Sequence, residues 1–181
     1  MRIRSVLAGA ALTLLLAQGA SAVVMVGGQA MYPSKNIVEN AVNSADHTTL
    51  VAAVQAAGLV DALAGPGPFT VFAPVNSAFA ALPAGTVDML LQPENKDTLA
   101  AVLTYHVVAG DYDANALMQM IQANGGWARL TTLQGETLTA KLNGPTNIVV
   151  EDTKGNVANI VTYDVAQSNG VIHVIDRVLM P

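Results

Sequence analysis

The hydrophobic period of this chain changes once along its length, and that change restricts the folds open to it. Before Gly125-Gly126 the apolar residues recur at helical spacing; after it they alternate. Leu50, Val51, Val54 and Ala57 make one helical stripe, closed by Gly58. Leu99, Val102, Leu103 and His106 repeat the i, i+3, i+4, i+7 pattern of one buried face, behind Asn95 as a cap. Asp113 is placed to cap a last helix carrying Leu117, Met118 and Ile121. Shorter helices are expected around Ile37, Val38 and Ala41, around Val60 and Leu63, from Asn76 to Leu82, and after Pro83. Phe69 to Ala73 is a β-branched and aromatic run between Gly65-Pro66-Gly67-Pro68 and Pro74, which predicts a buried strand.

In the second half Leu138, Ala140 and Leu142 alternate with Thr137, Thr139 and Lys141, the pattern of a half-buried strand. Gln134-Gly135, Asn143-Gly144 and Lys154-Gly155-Asn156 are turn signals. Further strands are expected at Ile148 to Glu151, Val157 to Thr162 and Val171 to Leu179. Helices followed by an antiparallel meander make an α+β domain.

Residues 1–22 read as a secretory signal peptide. Arg2 and Arg4 precede an apolar run from Val6 to Ala17, and Ala20-Ser21-Ala22 is a small-x-small cleavage site, so cleavage is expected after Ala22. The run falls short of the roughly 20 residues of a membrane span. Residues 23–34 hold Gly27, Gly28 and Pro33 without a clear period and read as a flexible arm. The folded domain is expected over 35–181. The chain has no cysteine, so apolar burial must hold it together without disulfides. Losing Arg2 and Arg4 with the leader would take the net charge from −5 to −7. That balance offers no basic patch for nucleic acid or an anionic membrane surface.

Three ordered segments resemble the fasciclin domain. They are Phe69-Thr70-Val71-Phe72-Ala73-Pro74 with Asn76, Ala78, Phe79 and Leu82 behind it; Leu103-Thr104-Tyr105-His106-Val107-Val108 with Gly110; and Asn169-Gly170-Val171-Ile172-His173-Val174-Ile175-Asp176 running on to Pro181. The resemblance covers about Ser34 to Pro181. It implies helices from the N-terminal half packed on a wedge of two antiparallel β-sheets, and an extracytoplasmic role in adhesion or partner binding. It also marks Tyr105 and His106 as a partner-binding pair. Where many relatives carry a threonine and an acid after the Ala-Pro, this chain has Val75 and Asn76.

Read from its own stripe, His106 points inward as a neutral, hydrogen-bonded core histidine, whereas Tyr105 lies off the stripe and is the better surface candidate. Asp176 shares a strand face with Ile172, Val174 and Val178, and a carboxylate there needs partners. It is expected to act as a structural polar pin, with His106, Thr70 or backbone N–H groups as partners; Thr70 and Asn76 belong to the same expected polar framework. No catalytic residue is expected: there is no cysteine and no serine in a nucleophile elbow. No metal or cofactor is expected either. Asp111, Asp113 and Asn115 imitate the start of a calcium loop, but Ala116 replaces its turn glycine. The leader and the fasciclin resemblance together imply a secreted or periplasmic monomer that binds a protein or glycan partner and is not an enzyme. The alternative is a carrier of a lipophilic small molecule in an apolar groove lined by Leu117, Met118, Ile121 and Trp127.

Overall fold

A computed structural model describes residues 23–181; the expected leader and its cleavage site lie outside the described residues. The expected flexible arm is instead a hairpin of β1 (Val24–Val26) and β2 (Gln29–Met31). Gly27 and Gly28 both take positive φ, as a two-residue hairpin turn demands. Val26 and Met31 are buried on the helices, which gives the hairpin the apolar face that its two-residue alternation hid from a helical search. Asn40, wholly buried, holds the backbone N–H and C=O of Tyr32 with its side-chain amide.

The helical half comprises α1 (Ile37–Ala41), α2 (Thr48–Ala57), α3 (Val60–Ala64), α4 (Asn76–Ala80), α5 (Thr86–Leu90) and α6 (Lys96–Tyr105), with β3 (Phe69–Pro74) between α3 and α4. Asn36 and Glu39 form a capping box on α1, and Gly58 ends α2 in the left-handed conformation. After α6 come β4 (Val107–Ala109), α7 (Ala114–Ala123), β5 (Trp127–Thr131), β6 (Thr137–Leu142), β7 (Ile148–Glu151), β8 (Val157–Gln167) and β9 (Gly170–Ile175). β5 was not expected; its sequence is short, and only Ala128 and Leu130 alternate inward. β9 ends at Ile175, so residues 176–181 leave the sheet earlier than the apolar pattern suggested.

The strands run in the order β4-β3-β9-β8-β7-β6-β5. β8 is long and shifts register twice, between Ile160 and Thr162 and between Thr162 and Val165; this divides the strands into two sheets that share it. The expected antiparallel pairing holds everywhere in this order except between β3 and β9, which are parallel from Phe69↔Gly170 to Pro74↔Ile175. Both strands of that pair are buried on both faces, which is where parallel pairing is favoured. Gly170 is obligatory at its start: a Cβ there would lie 1.9 Å from the Phe69 carbonyl oxygen. The two outer strands meet through a Val108↔Thr132 bridge and a bond from Leu133 N–H to the Val107 carbonyl at 2.7 Å, which closes the wedge.

Alternation along β3 and β9 sends side chains into two separate cores. Val71, Ala73, Ile172 and Val174 face the helices. Phe72 and Ile175 face the interior of the wedge, where Leu117 and Ile121 of α7 meet Leu130, Leu138, Ile148, Val150, Ile160 and Leu179.

Candidate functional site

Tyr105 and His106 end α6 at the junction of the helices and the wedge. Tyr105 is not at the surface: its relative exposure is 0%. The helix ends at this residue, so the stripe of Leu99 and Val102 does not predict where its ring points. The ring enters the wedge core, its hydroxyl donates to the Thr137 carbonyl at 3.3 Å, and it accepts from Thr153 N–H at 3.1 Å. Burial raises its pKa; the Thr153 N–H works the other way. The partner-binding role expected of Tyr105 therefore has no exposed atoms to act through.

His106 is the satisfied core histidine that its stripe suggested. Nδ1 lies 2.8 Å from the Val102 carbonyl and must donate to it; Nε2 accepts from Leu179 N–H at 3.0 Å. These bonds set the neutral tautomer. Burial drives the pKa down to about 4, with the Val102 carbonyl and the Asp152 charge opposing.

Asp152 was not singled out from the sequence. It sits in the β7–β8 turn at 5% exposure and accepts from Lys154 N–H, Asn156 N–H, the Asn156 amide and Met180 N–H at 2.8–3.0 Å. Burial alone would raise its pKa, but the bonds from Asn156, Met180 and Lys154 prevail and hold it below the usual carboxylate value. His106 and Asp152 thus hold the consecutive N–H groups of Leu179 and Met180, clamping the tail into the wedge. The signal was the turn itself, Asp152-Thr153-Lys154-Gly155-Asn156, in which an aspartate bonds the backbone ahead of it.

Asp176 is not that pin. It lies just past β9, exposed, and its carboxylate bonds only the backbone N–H and side-chain amide of Asn159, each at 2.8 Å. The face it was expected to share ends with the strand at Ile175. Thr70 is bonded elsewhere: its hydroxyl donates to the Gly110 carbonyl and accepts from Tyr112 N–H, which ties β3 to the loop before α7. Asn76 does not cap its own helix, whose N-cap is Val75. It caps α2 instead, accepting from Thr49 N–H at 3.0 Å and donating to the Ala45 carbonyl at 2.9 Å. Asn95 likewise makes no side-chain cap and donates to the Met89 carbonyl; Asp113 caps α7 as expected, accepting from Ala116 N–H at 2.7 Å.

Leu117, Met118, Ile121 and Trp127 do not come together as the lining of the expected groove. Leu117 and Ile121 are fully buried in the wedge core, while Trp127 lies on the opposite face of β5, 42% exposed, with the Arg129 guanidinium 5.0 Å from its ring centroid. On that outer face the register sets Trp127 beside Lys141, and Arg129 beside Thr139 and then Glu151. Lys141 pairs with Glu151 across the sheet. Val157 and Val161 of β8 are exposed as well. No group of three or more His, Cys, Asp or Glu suited to a metal occurs among the described residues, and no helix among them is long and apolar enough to cross a membrane.

The family model of the fasciclin domain matches residues 45–181. The chain is 52% identical over 145 residues to "Protein sll1483" of Synechocystis sp., covering 80% of this chain and 73% of that one. It is 39% identical over 144 residues to "Immunogenic protein MPB70" of Mycobacterium bovis, covering 77% of this chain and 65% of the relative. A solved FAS1 domain pair from the insect cell adhesion molecule Fasciclin I superposes with a TM-score of 0.72 at 18% identity, over 81% of this chain and 51% of that one.

Proposed function

The chain belongs to the fasciclin domain family, and on that premise we propose that it is a non-enzymatic adhesion or protein-interaction module working outside the cytoplasm. The observation that carries this reading is the division of its polar and aromatic groups. Tyr105, His106, Thr70 and Asp152 are buried and spent on internal hydrogen bonds. Trp127 and Arg129, residue types that anchor protein interfaces, are displayed instead. The outer face of β5 to β8 is the proposed contact surface and a protein the proposed partner, with Trp127 as anchor and the charges of Arg129, Lys141 and Glu151 around it. The name of the solved relative, a cell adhesion molecule, agrees with that role. Secretion through the N-terminal leader and action as a monomer are part of the same proposal.

Crosslinking on cells of the native host, followed by identification of the attached protein, tests it. Recovery of one partner that falls at least about tenfold with Trp127→Ala, as loss of an interface anchor predicts, supports the reading. Recovery unaffected by Trp127→Ala, or no specific partner, overturns it.

A further inference from the structure

The helix-side core contains an apolar cavity of about 90 Å³. Ile37, Leu50, Val54, Leu63, Val71 and Val174 are among its walls. Val38, Ala41, Val51 and Val60 are only half-buried and Gln55 is exposed, which places the mouth between α1, α2 and α3.

His47 lines this cavity at 3% exposure. Its Nδ1 lies 2.8 Å from Ser44 Oγ. Its Nε2 is the one buried side-chain nitrogen or oxygen among the described residues that has no hydrogen-bond partner. The polarity of the Ala73 carbonyl is felt at the ring, without a bond of proper geometry. His106 also lines the cavity, but both its nitrogens are engaged. A buried unpaired nitrogen costs about 1–3 kcal/mol, so its survival calls for an occupant. A lone water needs two to four polar partners, and beside Nε2 it would find only the Ala73 carbonyl and the already engaged Ser44 hydroxyl in an otherwise apolar lining. Largely apolar walls with a few polar groups, of which only His47 Nε2 is unengaged inside, are the makeup of a small-molecule site.

We propose that this cavity binds a small neutral molecule with an apolar body and one hydrogen-bonding oxygen, the oxygen meeting His47 Nε2. The proposal stands independently of any protein partner on the outer face of β5 to β8. If Ser44 donates to Nδ1, Nε2 carries the proton and donates to the ligand; in the other tautomer it accepts. A hydroxyl satisfies either. Enclosed cavities of about 150 Å³ take up benzene; this one is smaller but open at its rim, so a single ring is the size to probe.

The test uses phenol and toluene, equal in shape and different in the hydroxyl, titrated into the folded protein and followed by the imidazole ¹⁵N resonances. Phenol is expected to shift the Nε2 signal of His47 and to bind about tenfold more tightly than toluene, the worth of one hydrogen bond. His47→Phe keeps a ring and is expected to erase the preference. Should that variant fail to fold, Ala41→Leu fills the mouth while leaving both Ser44 and His47 in the sequence and is expected to abolish binding of both probes. Equal binding of phenol and toluene overturns the head-group contact. Binding of neither, binding indifferent to Ala41→Leu, or an ordered water held on Nε2 overturns the site.

Discussion

The parallel pair β3 and β9 separates two cores of different quality. On the wedge side, Leu117, Ile121, Leu138, Ile148 and Ile175 are completely shielded, and the polar side chains that enter, Tyr105 and His173, have hydrogen-bond partners for the Tyr105 hydroxyl and both His173 nitrogens. On the helix side, Leu50 and Val54 reach 9% exposure, a cavity stays open, and His47 keeps a free nitrogen. The difference follows from the elements. Strands of one sheet interdigitate at fixed spacing, while helices of five residues such as α1 and α3 present too few side chains to fill a shared volume. The well-packed side holds the structure together; the loosely packed side has room for a guest.

Equal truncations on the two sides measure this contrast most strongly. Leu117→Ala removes a side chain in contact on all sides and is expected to cost about 4 kcal/mol, near the upper part of the range for buried leucines. Leu50→Ala borders space that is already empty, forfeits fewer contacts, and is expected to cost about 2 kcal/mol. Urea unfolding of both variants checks the pair; equal losses would erase the distinction between the cores.

Acid should attack both sides through the buried histidines, His106 among them. Its pKa is about 4 folded against 6.5 unfolded, so between those values the unfolded chain binds the extra proton. Stability is therefore complete above pH 6.5 and falls as pH drops toward 4, by about 3 kcal/mol from this residue. His47 and His173 are also lowered by burial, against their neighbouring carbonyls and carboxylates, and act in the same sense. A pH series of unfolding curves should lose the His106 part of its slope between pH 6.5 and 4 in His106→Gln. A ligand hydrogen-bonded to His47 should not alter the His106 contribution, because that ring is closed by Val102 and Leu179.

Asp152→Asn is expected to cost about 2 kcal/mol at neutral pH, because one oxygen that accepts from Asn156 or Met180 becomes a donor facing donors. The folded carboxyl is held below its ordinary value of 3.8, so this contribution is present above that pH and fades as pH falls further, beneath the histidine window. The variant should flatten the profile only there.

Legibility in the sequence followed the range of each interaction. The stripes of α2 and α6, the alternation of β6, and the Asp113 cap are local, and they stand where the residues predict. Asn76 shows the limit: the residue type says that it caps a helix, but the helix it caps begins at Thr48, which only the tertiary fold brings near. The β3–β9 pairing joins residues about a hundred positions apart and leaves no periodic trace. The clamp on the tail was misassigned for a related reason. Strand periodicity extended through residue 176 puts Asp176 inward, whereas the chain leaves the sheet one residue earlier and the buried carboxylate comes from Asp152 in a different turn.

That reassignment makes the smallest predicted effect a sharp one. Asp176 is exposed, and its two bonds go to a single residue, Asn159, which also receives the Asp176 backbone N–H at 3.2 Å. In Asp176→Asn one oxygen remains to accept from Asn159 N–H, and the Asn159 amide can turn over to present its own oxygen to the new NH₂. The expected change is below about 0.5 kcal/mol, the ordinary scale of surface substitutions. Thermal unfolding of Asp176→Asn beside Asp152→Asn checks it: a melting temperature near wild type for the first and a clear drop for the second places the pin in the β7–β8 turn, and the reverse order would return it to the end of β9.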